Sequence, residues 1–136
     1  MLSFIVYGVA EPQGSARAFM PKGAKFPVVT SDNPKVKGWR QLVAEAASRT
    51  LDGPGHLMDG AVGVQAEFYL PRPKSLGKKD KPHLTRPDSD KLTRAVLDAL
   101  TGVVWRDDSQ VVGLVVTKAY AGVGESPRAI ITVMER

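Results

Sequence analysis

The sequence contains no cysteine, which excludes a thiolate nucleophile, a disulfide and a cysteine-ligated zinc ion. Histidine is scarce, since only His56 and His83 occur and each stands alone in a Gly- or Pro-rich segment. No apolar run approaches the about 20 residues of a membrane-spanning helix, and the first residues lack the pattern of a signal peptide. These absences predict a cytoplasmic protein in which any bound metal ion has oxygen ligands.

An excess of positive charge is present, and it is confined to one segment. The 136 residues include 19 Lys and Arg against 14 Asp and Glu, a net charge of +5. Six basic residues and one acidic residue, Asp80, lie between Pro71 and Arg86, which accounts for the whole excess. Such a segment indicates an anionic partner such as nucleic acid, although a solvated loop kept soluble by lysine would look the same.

Hydrophobic periodicity predicts an α+β fold. Alternating apolar and polar residues indicate strands at 2–10, 62–70, 111–119 and 128–134, and a short irregular hairpin over 16–20 and 26–30. Apolar residues three and four apart predict helices over about 34–51 and from Asp88 to near Gly102. The turn-rich segment 121–127 predicts that the last two strands form a long-tipped antiparallel hairpin. The expected architecture is a single domain over 1–136, with a small mixed or antiparallel sheet packed against two main helices.

Four aspartates around the second predicted helix form the most specific local pattern. Asp88 and Asp90 stand at its start, and Asp107 and Asp108 come just before the next strand. Aspartates at a helix start could simply cap the helix and interact with its dipole. Two pairs exceed what capping requires, and Mg²⁺ takes carboxylate oxygens, so metal binding is the second interpretation.

Arg94 and Asp98 follow Asp90 at intervals of four residues and therefore share its helix face. Arg94 could form an ordinary ion pair with Asp90, or it could stabilise the charge that develops on a phosphate. Asp98 is farther from the helix start, and it is expected to pair with Arg94 or to be structural.

The sequence around these aspartates resembles the RusA family of Holliday-junction resolvases. Residues 88–94 read Asp-Ser-Asp-Lys-Leu-Thr-Arg, followed by Asp-Ala-Leu at 98–100 and Asp-Asp-Ser-Gln-Val at 107–111. The family signature is Asp-x-Asp-Asn-Leu-x-Lys, then Asp-Ala-Leu and Asp-Asp-x-Gln-Val. The resemblance implies that Asp88, Asp90 and Asp108 are the catalytic, metal-binding carboxylates, with Asp107 as a less certain member.

Two residues depart from this signature. Lys91 replaces the usual Asn, and Arg94 replaces the catalytic Lys. A guanidinium stays protonated, so Arg94 can stabilise charge but is a poor proton-transfer group. Lys91 is the alternative cation, although it lies off the Arg94 face of the helix, and Arg94 is preferred.

The resemblance implies a homodimeric endodeoxyribonuclease that uses Mg²⁺, or Mn²⁺, to nick two strands of a four-way DNA junction symmetrically. Basic residues would bind the phosphate backbone by charge and shape. The predicted DNA-binding residues are Arg17, Arg72, Lys74, Lys78, Lys79, Lys81, Arg86 and Lys91, with help from Lys22 and Lys25. Two other functions fit the residues: a DNA-binding module whose acidic cluster is only structural, and a metal-dependent enzyme acting on a smaller phosphate ester.

Overall fold

The computed structural model describes residues 1–14, 16–20, 22–23, 25–31, 33–51 and 55–136, without the side chains of 16–19 and 28–31. The predicted α+β fold with two main helices is confirmed. Its elements are β1 (Leu2–Tyr7), β2 (Ala16–Phe19), β3 (Val28–Ser31), α1 (Val36–Thr50), β4 (Val62–Leu70), α2 (Ser89–Leu100), β5 (Val111–Tyr120) and β6 (Arg128–Glu135). No described helix is long and apolar enough to cross a membrane.

The main sheet has the strand order β1-β6-β4-β5, and β2 pairs with β3 in the predicted short hairpin. Strand β4 is parallel to β5 and antiparallel to β6. The predicted hairpin of β5 with β6 is therefore wrong, because β4 lies between them. The connecting segment crosses the end of β4, where Ala121 N donates to Leu70 O at 2.7 Å. The turn residues of this segment correctly predict that the chain reverses direction between β5 and β6. They do not reveal that the chain crosses β4.

The core lies between this sheet and the two helices. Trp39 of α1 is 2% exposed and Trp105 is 0% exposed, so both tryptophans are core residues. Every second residue of β4 is buried, as the alternating pattern predicts, and these residues belong to one apolar cluster with the helices.

Helix α2 buries the apolar stripe predicted for it, Leu92, Ala95, Val96, Ala99 and Leu100. The opposite face is left for charged residues. The helix ends where Thr101 becomes extended and Gly102 adopts a φ of 83°, a conformation that glycine tolerates.

Helix α1 begins at Val36, two residues after the predicted start at Pro34. Asn33 nevertheless acts like a cap, because its Oδ1 accepts a hydrogen bond from the backbone N–H of Lys35 at 3.1 Å.

Candidate active site

The segment between β4 and α2 carries the chain from the carboxyl end of a parallel strand to the start of a helix. Ligands commonly bind at this edge of a parallel sheet. Leu70 and Tyr120, the last residues of β4 and β5, both line a cleft of ≈ 1040 Å³. Asp88 and Lys91 lie in the wall of the same cleft, which places the start of α2 at this edge.

A smaller groove of ≈ 390 Å³ lies on the other side of Lys91. It is lined by Asp90, Arg94 and Asp98, so the predicted common face of α2 is confirmed. Asp88 lines the larger cleft, Asp90 lines the smaller groove, and Lys91 lines both. Because both candidate cations face the groove, the preference for Arg94 over Lys91 stays a prediction.

Hydrogen bonds of Gln13 connect the segment 11–14 to helices α1 and α2. Its backbone N–H donates to Lys91 O at 3.0 Å, and its Oε1 accepts from Arg40 Nη1 at 3.2 Å. The position of Gln13 in the sequence, far from α2, gives no sign of this contact. Gln13 therefore joins the site as a residue that sequence reasoning missed.

Asp98 pairs with Arg40 of α1, with 3.8 Å between Nη1 and Oδ2. Burial, followed by the nearby charge of Asp108, raises the pKa of Asp98, while Arg94 and Arg40 act in the opposite direction. Asp98 thus has two cationic neighbours rather than the single expected partner, Arg94. The influence of Asp108 also places that carboxylate near the carboxyl-terminal half of α2.

Asp108 lies at the opposite end of α2 from Asp88. Its Oδ1 accepts hydrogen bonds from the hydroxyl of Thr101, the carboxyl-terminal cap of α2, and from Trp105 Nε1 at 3.3 Å. Asp88 is the amino-terminal cap residue. A helix rises about 1.5 Å per residue, so the two ends of α2 lie roughly 20 Å apart.

The three predicted ligands therefore do not meet around one ion within a single chain. Across the part of the chain that the structure describes, no group of three or more His, Asp or Glu side chains is arranged to hold a metal ion. Asp88 and Asp90 are suited to bind Mg²⁺ without a third carboxylate, because Mg²⁺ usually keeps several waters and takes one or two carboxylates. Both residues are exposed at the start of α2.

Asp88 does not cap its helix. Its backbone occupies the cap position, but its side chain makes no capping hydrogen bond. Neither its carboxylate nor that of Asp90 has a hydrogen-bond or ion-pair partner among the described residues. The capping interpretation of Asp88 is thus wrong, and its oxygens are available to a ligand.

Asp107 does cap, in contrast to Asp88. Its carboxylate accepts from the backbone N–H of Ser109 at 2.9 Å, and Gln110 completes a capping box. The Ser109 backbone N–H and then its hydroxyl lower the pKa of Asp107. Gln110 also donates to the carbonyl oxygens of Met58 at 2.7 Å and Gly60 at 2.9 Å. Asp107 and Gln110 of the Asp-Asp-x-Gln run therefore stabilise the local structure.

Most of the predicted DNA-binding residues are exposed. Arg72 differs, because its guanidinium donates to the carbonyl oxygens of Gly77 at 2.8 Å, Ala121 at 3.4 Å and Lys79. It holds the basic loop in place, and its direct contact with DNA stays a prediction. The Arg17 side chain lies outside the described residues. The exposed members are Lys22, Lys25, Lys74, Lys78, Lys79, Lys81, Arg86 and Lys91.

His83 is a second residue of the site that sequence reasoning passed over. It is 8% exposed, and its ring centroid lies 4.4 Å from that of Tyr120, with 43° between the planes. Burial and then the charge of Lys118 lower the pKa of His83, against the effect of hydrogen bonds to its own backbone and that of Thr85. The surroundings of the ring in the wall of the larger cleft therefore favour its neutral form.

Two comparisons with known proteins identify relatives of this chain. The family model described as endodeoxyribonuclease RusA matches residues 10–134, which include both helices and all the aspartates discussed. The chain is also 35% identical over 144 residues to the uncharacterized protein YqaN of Bacillus subtilis (strain 168), covering 98% of this chain and 96% of that protein. The chain therefore belongs to the RusA family of endodeoxyribonucleases.

Proposed function

We propose that this protein is a magnesium-dependent, structure-specific endodeoxyribonuclease that resolves Holliday junctions by paired, symmetric nicks. Family membership supports a junction endonuclease. The observation that supports the proposal for this chain is that the Asp88 side chain is not used to cap its helix. It occupies the helix cap without capping, beside an equally exposed Asp90, at the carboxyl edge of the sheet.

Asp88 and Asp90 would hold the ion, which supplies an activated water and neutralises charge on the scissile phosphate. Arg94 lies in the groove with Asp90, where a permanent guanidinium charge stabilises the negative charge that develops on phosphate oxygens. Lys91, which lines both the groove and the cleft, would bind the phosphate backbone entering between them.

The position of Asp108 supports a two-fold homodimer. Two copies of α2 that lie antiparallel across a symmetry axis bring the carboxyl-terminal end of one helix beside the amino-terminal end of the other. Asp108 of the partner subunit would then join Asp88 and Asp90. A two-fold axis repeats this site, and resolution of a four-way junction requires two symmetric cuts.

The exposed lysines between β4 and α2 would bind the junction arms. Lys78, Lys79 and Lys81 precede the site along the chain and are solvent-exposed. Their flexible ammonium groups suit contacts to phosphates rather than to base edges. They would therefore bind DNA through its phosphate backbone and not through its base sequence.

Cleavage of a synthetic four-way junction with Mg²⁺, compared with EDTA, tests the proposal. Wild-type protein is expected to make paired nicks only with Mg²⁺, and Asp88→Asn to bind the junction without cutting it. Glu45→Gln is the control, because Glu45 is an exposed acid of α1 that lines neither the cleft nor the groove. Binding without nicking by the wild type would identify a DNA-binding module, and cleavage of a model phosphodiester alone would identify a phosphoesterase. Either result would overturn the proposal.

A further inference from the structure

Strand β5 lies at one edge of the main sheet, where it pairs with β4 and with no other described strand. The backbone N–H and C=O groups along its outer side are therefore available to another strand. Soluble proteins usually protect such an edge with proline or charged residues. The ten residues of β5 include no proline and one charged residue, Lys118. The Lys118 ammonium donates to Thr85 O and Pro87 O, so it is held in place and does not guard the rest of the edge.

Apolar side chains are exposed on both faces of this edge. Leu114 is 47% exposed on the helix side of the sheet, because it lies in register with the buried Val64. Val115 lies in register with the exposed Gln65 and is 58% exposed on the opposite face. Val112, near the start of the strand, is 65% exposed. An unpaired edge flanked by apolar side chains suits the addition of a further strand.

The opposite edge of the sheet, β1, does not have this character. Leu2, Phe4 and Val6 belong to the buried core, so the helix side of β1 is covered by the protein itself. Its exposed apolar residues, Ile5 and Tyr7, lie on the other face alone. Strand β5 is therefore the edge that a partner would cover.

The charges near β5 favour a second copy of the chain in the antiparallel direction. Asp107 and Asp108 immediately precede the strand region, and Lys118 lies near its end without a carboxylate partner among the described residues. Two copies related by a two-fold axis perpendicular to the sheet have antiparallel edge strands. This arrangement brings the acidic end of each strand towards Lys118 of the other, whereas a parallel neighbour would bring like charges together.

The dimensions of β5 also fit the shared metal site. Lys118 holds Pro87 O, next to Asp88, so the carboxyl end of β5 lies at the start of α2. A strand rises about 3.3 Å per residue, so residues 111–118 span roughly 23 Å. This length is close to the roughly 20 Å between the two ends of α2. An antiparallel copy would therefore carry its Asp108 towards Asp88 of the first.

We propose that β5 is the dimerisation strand, pairing antiparallel with β5 of a second copy around Leu114 and Val115. The two four-stranded sheets then become continuous. The strand pairing is argued from the exposed edge and its charges, and only the meeting of Asp108 with Asp88 rests on the proposed function.

Disulfide crosslinking tests the pairing, because the chain has no cysteine of its own. Leu114→Cys and Val115→Cys are oxidised separately, without DNA or Mg²⁺. Directly opposed residues of antiparallel strands have Cβ atoms about 4.5–5.5 Å apart, close to the separation in a disulfide. The variant nearer the two-fold axis is expected to form a covalent dimer rapidly. Ile5→Cys is the matched control, because Ile5 is also 47% exposed on an edge strand, and it should stay uncrosslinked.

Val115→Lys places a charge in the proposed interface. Val115 is exposed in the single chain, so the fold should survive, and light scattering should show dimer dissociation about tenfold or more stronger than in the wild type or Ile5→Lys. If Val115→Lys fails to fold, the cysteine variants still decide. A monomeric wild type, a dimer in which neither β5 cysteine crosslinks, or Ile5→Cys crosslinking as readily as the better β5 variant would overturn the proposal. A covalent β5 dimer that does not nick junctions would count against the proposed function and leave the interface intact.

Discussion

The Nζ ammonium of Lys118 donates a hydrogen bond to the carbonyl oxygen of Pro87 at 3.0 Å, one residue before Asp88. The same ammonium donates to Thr85 O at 2.7 Å. Lys118 belongs to β5 and lies in register with the buried Phe68 of β4. The position of Asp88 is therefore linked through Lys118 to the rigid interior of the sheet.

Lys118→Met keeps a long side chain but removes both hydrogen bonds. We expect the cleavage rate to fall at least tenfold while junction affinity changes little, since small errors in position reduce rates strongly. Single-turnover cleavage and equilibrium binding measure the two effects, with the exposed Lys37→Met as the control. Lys118→Arg should recover part of the rate. An equal loss of binding and cutting would make Lys118 a DNA contact instead.

Arg94→Ala is expected to lower the turnover rate far more than junction affinity, because the guanidinium stabilises charge that develops during the reaction. Lys91→Ala should reduce turnover less, and Arg94→Lys should retain part of the activity because it keeps the charge. Turnover and affinity are measured for each variant at saturating Mg²⁺. If the order of Arg94→Ala and Lys91→Ala were reversed, the catalytic cation would be reassigned to Lys91.

Neutralising Lys78, Lys79 and Lys81 together by changing them to Gln should weaken binding to every DNA shape. Removing one lysine–phosphate interaction lowers the slope of log affinity against log salt by up to about 0.9. The double variant Lys35→Gln and Lys37→Gln is the control, since both lysines are exposed on or beside α1. An unchanged slope in the triple variant would mean that the loop is only a solvated surface.

Folding stability should decrease on acidification through His83. Burial and then the charge of Lys118 lower the pKa of His83 in the folded state, so the unfolded chain binds its proton more readily. The contribution of the neutral ring is complete above the unfolded pKa of about 6.5, and it is lost as pH falls through the lower folded pKa. Urea midpoints between about pH 7.5 and about pH 5 should fall for wild type and for His56→Phe. They should fall less for His83→Phe. If the midpoint depended on pH equally in His83→Phe and in the wild type, His83 would not be the source of the effect.

Mixing two inactive variants tests whether the metal site is shared between subunits. Asp88→Asn and Asp108→Asn should each fail to cut alone. A mixed dimer would contain one complete site, formed by Asp88 of one chain and Asp108 of the other, so it should nick one strand of the junction. Subunit exchange is followed with a tagged chain. Exchange without recovered nicking would overturn the shared site.

Local patterns in the sequence predict the elements of this fold, because burial depends on periodicity within a segment. The stripe of α2 and the alternation of β4 are of this kind. Strand order is different, since the residues 121–127 encode a turn whether or not β4 lies between the strands that they connect. This is why the hairpin prediction failed although the opposite directions of β5 and β6 were correct.

The site was predictable only in part, for the same reason. The sequence identifies the aspartates of α2, whose spacing is local. It does not reveal that Gln13 binds Lys91, that Arg40 pairs with Asp98, or that His83 meets Tyr120, because each contact joins distant segments.

The place of β6 in the sheet constrains when this protein can fold during synthesis. Strand β6 follows the other strands along the chain, yet it lies between β1 and β4. Strand β1 is made first and has no partner in the main sheet until β6 has left the ribosome. A nascent chain can form the parallel β4–β5 unit with α2 earlier, but its amino-terminal strand must wait unpaired. A ribosome that stalls before β6 would therefore release a chain with β1 and one edge of β4 exposed, a target for aggregation or degradation rather than a partly active nuclease.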